Sequence, residues 1–166
     1  MAINIRPQRS FSRRYFFVLF LGIVTGPFLM LSDLNVSAQA APNSKSEAAI
    51  RAVIEAQAAA WNRGDVEGYM DGYDRSPNTE FVGGDSITRG WQDVLDRYKK
   101  RYDTREKMGV LTFSDLEITV LSDDAALVLG RWRLKRATDE PHGTFTLLFR
   151  KTKAGWRIVH DHTSSA

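Results

Sequence analysis

The chain closes on Gly155-Trp156-Arg157-Ile158-Val159-His160-Asp161-His162-Thr163, which sets two imidazoles around one carboxylate. An imidazole can accept or donate a proton near neutral pH without any shift of its pKa. In an extended strand alternate side chains share a face, so His160 and His162 are expected together, about 7 Å apart, with Asp161 on the opposite side. That geometry excludes a dyad of neighbours. A metal would need a third ligand, and His142, the remaining histidine, falls about 17 Å away along the expected ladder. No metal and no cofactor is therefore expected.

Aromatic residues are the second group with chemical potential. Trp61, Tyr69, Tyr73, Trp91, Tyr98 and Trp132 fall on the inner faces of their expected elements. Their O–H and N–H groups need partners when buried. Aromatic walls with a few polar tips suit a small, largely apolar ligand. The expected pocket joins these six side chains to His160 and His162 at its floor. His160, His162 and Tyr73 are the candidates for acid–base or hydrogen-bonding roles. Asp65 reads as a helix cap, and Asp85, after Gly83-Gly84, as a turn residue. The sequence has no Cys, no phosphate-cradling glycine loop and no nucleophile elbow, which removes thiol chemistry and two common catalytic layouts.

The elements that must hold these residues run helices first, then strands. Ser44-Lys45-Ser46-Glu47 is a capping box. Behind it Ile50, Val53, Ile54, Gln57, Ala58 and Trp61 repeat at helical spacing, and Gly64 fits a left-handed cap. A second helix carries Val66, Tyr69, Met70 and Tyr73 inward. A small hairpin turns at Gly83-Gly84-Asp85. A third helix begins near Gly90 with Trp91, Val94, Leu95, Tyr98 and Tyr102 on one side. Its Lys99-Lys100-Arg101 cluster, offset by Asp96, Asp103 and Glu106, reads as a solvated helix end. Four strands follow at about 109–121, 125–136, 142–152 and 156–163, joined by short turns into an antiparallel meander.

A two-residue turn at Ala154-Gly155 sets Phe149 opposite His160 and Leu147 opposite His162. A tight turn at Asp139-Glu140 sets Trp132 beside Leu147. A three-residue turn at 122–124 sets Ile118 beside Val128. Each choice gathers apolar side chains on one face, as a real register should. The other face combines Leu127, Leu129, Leu148 and Val159 with Arg131 and Arg150, together with Glu117 and Asp161. That mixture is too apolar for plain solvent.

The 166-residue length suits one domain behind a leader. Residues 1–40 carry four arginines against one aspartate, and the rest balances nineteen basic with nineteen acidic side chains. The basic pI of about 9.3 thus belongs to the leader, and the body offers no global charge for nucleic acid. The arginines end at Arg14, an uncharged run spans Tyr15–Ser32, and Ala38-Gln39-Ala40 fits a cleavage site. Ser12-Arg13-Arg14-Tyr15-Phe16-Phe17 resembles a twin-arginine tag. The expectation is an export signal over residues 1–40, cut after Ala40 or Ala38, and a periplasmic or secreted domain over 41–166. No membrane association is expected after cleavage.

Three helices, a hairpin and a long curved sheet resemble the nuclear transport factor two-like cone fold. Ala60-Trp61-Asn62-Arg63-Gly64-Asp65, Gly130-Arg131-Trp132 and the run from Gly155 to Ser164 resemble its SnoaL-like branch. The last run is also similar to the association domain of calcium/calmodulin-dependent kinase. The resemblance covers about residues 46–164. It implies an α+β cone with an interior pocket and a homodimer formed through the outer sheet face. Ketosteroid isomerases of this fold carry a catalytic Asp before the third helix, where this chain reads Phe81-Val82, so that chemistry is not carried over. The expected function is binding of a small, largely apolar molecule. The alternatives are a His-dependent isomerase, dehydratase or hydrolase in the same pocket, and an oligomerisation module without ligand.

Overall fold

The structure, a computed structural model, describes residues 37–166, with side chains from Asn43 onward. The expected leader lies almost wholly outside the described residues. Helix α1 spans Ser37–Arg63 and so begins upstream of the Ser44 box. Ile50, Ile54, Gln57, Ala60 and Trp61 are buried along one stripe, the three-and-four spacing of an inward helix face. Gly64, at φ +84°, ends the helix. Its N–H bonds the Trp61 carbonyl while the Asp65 N–H bonds the Ala60 carbonyl, a Schellman motif that satisfies otherwise orphaned carbonyls. Asp65 then caps α2, Val66–Met70, by accepting the Gly68 N–H at 2.7 Å. Helix α3 spans Trp91–Arg101. A one-turn helix that the sequence reading did not contain, α4 at Arg105–Met108, follows a Thr104 cap. Arg105 ties it to the end of α1 by donating to the carbonyls of Trp61 and Asn62. No helix among the described residues is long and apolar enough to cross a membrane.

Six strands make one sheet: β1 Glu80–Gly83, β2 Ser86–Arg89, β3 Val110–Ser122, β4 Ala125–Lys135, β5 His142–Thr152 and β6 Gly155–Thr163, in the order β2-β1-β6-β5-β4-β3. The fold is α+β. The meander β3–β6 is antiparallel, and β1 adds to β6 in parallel, a pairing not anticipated from the sequence.

Two registers differ from expectation by even steps. Val128 rather than Trp132 lies opposite Leu147, because the connection after β4 closes with the Leu134 N–H on the Pro141 carbonyl instead of a tight turn at 139–140. Phe149 lies opposite Ile158, not His160. Even shifts leave every side chain on its expected face. Three irregularities interrupt the pairing, one of them only at the end of β3 between Val120 and Ser122, and the other two change faces. One in β3 sits at Asp115, whose φ is 52°. Leu111 before it and Leu116 after it consequently both pack inward. The other leaves Val159 unpaired between Ile158 and His160, and it decides the site.

Past β6 the chain keeps pairing with β5: the Ser164 N–H bonds the Thr144 carbonyl, and Trp132 Nε1 donates to the Ser164 carbonyl at 3.0 Å. Gly143 lies beneath that contact, and a methyl group there would overlap the Ser164 carbonyl oxygen. Backbone cannot yield as a flexible side chain can. Gly143→Ala is therefore expected to lower unfolding free energy by about 1–3 kcal/mol, measured by urea denaturation; an unchanged midpoint would contradict this packing.

Candidate functional site

The helices and the concave sheet face enclose a cavity of about 250 Å³. Its wall on the helix side is a cluster of rings. Trp61 meets Tyr69, Tyr98 and Tyr102 edge-on, with centroids 5.2, 6.0 and 4.7 Å apart. These edge-to-face contacts fix the rings more firmly than area burial alone. Trp61 Nε1 donates to the Met108 carbonyl at 3.1 Å, so the indole is pinned at its polar edge too. The sheet supplies Trp132, Phe145 and Leu147.

The floor is polar. Asp161 is only 3% exposed. Its Oδ2 accepts the Tyr73 hydroxyl at 2.6 Å and its Oδ1 accepts the Thr163 hydroxyl at 2.7 Å. The Tyr98 hydroxyl lies 3.5 Å from that of Tyr73. Burial disfavours the charged form and raises the Asp161 pKa, while hydrogen bonds from Tyr73 and Thr163 and the charges of His160 and Arg97 oppose the rise. Burial, helped by Asp161, also raises the phenols of Tyr69 and Tyr73, and burial with Tyr69 and Asp161 raises Tyr98. They remain hydrogen-bond donors across the ordinary pH range.

Of the expected pocket residues, Trp61, Tyr69, Tyr73, Tyr98 and Trp132 line the cavity. Trp91 does not. Its Nε1 donates to the Met70 carbonyl at the end of α2, and the Arg75 guanidinium covers its ring at 4.4 Å. His160 and His162 do not line it either, which corrects their placement at the floor and removes them as candidates for chemistry inside it. Because Val159 is an extra residue, His160 pairs with Leu148 and His162 with Thr146, on the outer face, and Asp161 pairs with Leu147 on the inner one. His160 Nδ1 lies 3.1 Å from Glu80, which also accepts from Arg89 at 2.9 Å. Those two partners hold the Glu80 carboxyl below its ordinary pKa. His162 is exposed. Tyr73 keeps its candidacy as the phenol that touches the buried carboxyl.

On the outer sheet face, Leu127 and Leu129 are 39% and 45% exposed. Arg131 and Arg150 are exposed beside them, and Leu148 and Val159 are half-buried. Arg131 pairs with Asp115 and Arg150 with Asp124. Asp161, expected on this face, is not there. Among the described residues no cluster of three His, Asp or Glu could hold a metal ion.

Asp161 is the cavity residue the sequence reading misplaced. Its local mark is the pair Ile158-Val159, two apolar residues in succession where strict alternation allows one. Arg101, which also lines the cavity, was read as part of a solvated helix end, and Arg97, one turn before it on the same lining, was given no role.

Residues 50–166 match the SnoaL-like domain family. The chain belongs to the SnoaL-like family. An NTF2-like protein of unknown function from Shewanella oneidensis MR-1 is 41% identical and aligns over 71% of this SnoaL-like chain and 98% of its own, with a TM-score of 0.69. An NTF2-like protein with a cystatin-like fold from Novosphingobium aromaticivorans is 17% identical over 81% of this chain and 90% of its own, at TM-score 0.63. A ketosteroid isomerase-like protein from Erwinia carotovora atroseptica is 22% identical over 71% and 94%, at TM-score 0.56. The last two show the shared fold alone. No curated protein matches the chain.

The raised pKa of Asp161 has a consequence for stability in this SnoaL-like domain. Between the ordinary aspartate value, about 4, and the raised one, the folded state binds more protons than the unfolded state. Stability therefore falls as pH rises through that window. Asp161→Asn keeps an acceptor for Tyr73 and cannot ionise. Thermal melts from pH 4 upward should show the wild type losing stability relative to the Asn variant; parallel curves would refute the burial effect.

Proposed function

We propose that the protein binds a small, largely apolar molecule in this cavity, with the molecule's flat body against the Trp61, Tyr69 and Tyr98 rings and one polar atom at Tyr73 and Asp161. The observation that carries this reading is the buried Tyr73–Asp161 pair opening onto a space with aromatic walls. A core packed only for stability would fill that volume and would not place a carboxyl at its floor. The SnoaL-like family match and the fold's interior cavity support the same reading. The acid–base role expected of the histidines is not carried forward. The carboxyl able to exchange a proton with a bound molecule is Asp161, which makes an acid–base enzyme the second reading; its raised pKa favours that role.

The probe is 2-naphthol, an uncharged bicyclic ring with one hydroxyl. It should quench the fluorescence of Trp61 and Trp132 and bind about tenfold more tightly than naphthalene, because its hydroxyl can donate to Asp161. Leu147→Trp, which fills the cavity, should abolish binding. Binding that survives Leu147→Trp would place the probe elsewhere and defeat the reading. Turnover of any substrate that Asp161→Asn removes, while 2-naphthol still binds, would favour the enzyme.

Export of the domain and a homodimer through the outer sheet face complete the proposal. The partly exposed Leu127 and Leu129 beside Leu148 support the dimer. Leu129→Arg with Leu148→Arg should convert the dimer to a monomer in light scattering, with 2-naphthol binding retained. A particle of unchanged mass would exclude this face as the interface.

A further inference from the structure

Among the cavity-lining residues three carry ionisable charge: Asp161 at the floor, and Arg97 and Arg101 on α3. The two arginines are four residues apart and so stand on one side of the helix. Several other cations nearby have anionic or carbonyl partners, and the exposed Lys100 does not line the cavity. Lys99 pairs with Glu67, Lys107 with Asp103, and Arg105 donates to backbone carbonyls. Arg97 and Arg101 form no ion pair among the described residues. Each guanidinium rests on a ring instead, Arg97 at 4.2 Å over Phe81 and Arg101 at 5.8 Å over Tyr102. Stacking engages a guanidinium through its face and leaves its in-plane N–H donors available. That planar fork matches a carboxylate. Arg97 is half-buried and Arg101 exposed, alongside the exposed lining residues Gly84 and Ser165, which places the pair at the mouth of the cavity. The lining thus holds more positive than negative charge whether or not Asp161 is ionised.

Building on the binding reading above, we infer that the ligand is an anionic amphiphile: an aromatic or alicyclic carboxylate whose ring enters the cavity while its carboxylate stays at the mouth on Arg97 and Arg101. The ligand's charge then meets the two guanidiniums, which are half-buried and exposed, rather than the buried Asp161. An uncharged ligand of the same shape would leave the two guanidiniums to water. Specificity of this kind rests on the charge-assisted hydrogen bonds that a carboxylate alone can accept.

The test compares 6-hydroxy-2-naphthoate with 6-hydroxy-2-naphthamide, which match in shape and differ in charge, by calorimetry on the full domain. The carboxylate should bind at least about tenfold more tightly, and added NaCl should reduce the preference, because the mouth is open to solvent. Arg97→Gln, Arg101→Gln and the double variant should remove the preference stepwise, weakening the carboxylate more than the amide. Unchanged melting temperatures would show that these variants fold. Equal affinity of the two probes for the wild type overturns the anion inference and leaves the pocket reading standing. A preference that survives the double variant overturns it as well, since the carboxylate is then held elsewhere. Failure of both probes to bind overturns the pocket reading itself.

Discussion

One edge of β6 has to serve two partners. Residues 72–74 bond to Ile158, with the Asp74 N–H on its carbonyl and its N–H on the Gly72 carbonyl. From residue 160 onward the same edge belongs to β1. Val159 lies at the handover and is left out of the pairing with β5. The extra residue turns every following side chain to the opposite face, and Asp161 is the one whose inward turn matters. A carboxyl taken out of water costs several kcal/mol unless it is hydrogen-bonded. Tyr73 supplies that bond from the very segment that pairs with Ile158. Backbone pairing and the Tyr73–Asp161 contact therefore reinforce one another: losing either loosens the other, and the polar floor of the cavity depends on both.

The rings above that floor are arranged to stay open. Trp61, Tyr69, Tyr98 and Tyr102 contact one another through edges and tilted faces, with Tyr102 stacked on Tyr98, and the indole is fixed again by the Met108 carbonyl. Each ring is restrained by neighbours on its own side of the cavity. A wall so restrained does not need a ligand to order it, which reduces the entropy lost on binding. The one-turn helix α4 contributes from outside. Met108 both closes the core and offers the carbonyl that holds Trp61, and Arg105 secures α4 to the end of α1. The aromatic wall therefore extends its support to a segment that carries no pocket residue of its own.

The sequence made most of this fold legible and hid one decisive residue. Helix periodicity marked Ile50, Ile54 and Trp61, Gly64 marked the end of α1, and Asp65 marked the start of α2; each signal is local and survives tertiary packing. The face assignments of β4 and β5 were robust because their register differed by even steps, which period-two patterning cannot detect and does not need to. The bulge at Val159 is different in kind. It coincides with the point where the other edge of β6 passes from residues 72–74 to β1, both distant in sequence, and strict alternation carried past it moves His160 and His162 to the wrong side. Trp91 failed for a related reason: helical spacing assigns a face, while the distance from that face to the cavity depends on where α2 ends. Arg97 and Arg101 were overlooked because a run of charge on a helix is usually solvated, and nothing local says that the solvent there is the mouth of a pocket.

The parallel docking of β1 connects the two ends of the cavity. Phe81 is the cross-strand partner of Asp161, and the Phe81 ring carries the Arg97 guanidinium on its face. The register of β1 thus sets how far the cation stands from the carboxyl, near enough for Arg97 to oppose the rise in the Asp161 pKa and too far to form an ion pair with it. The outward histidines enter at this point. His160 meets Glu80 on the strand's outer side, and Arg89 joins Glu80 from β2. Such exposed pairs contribute little stability. Their position nonetheless favours the one register that keeps a buried acid and a stacked guanidinium apart across an apolar space.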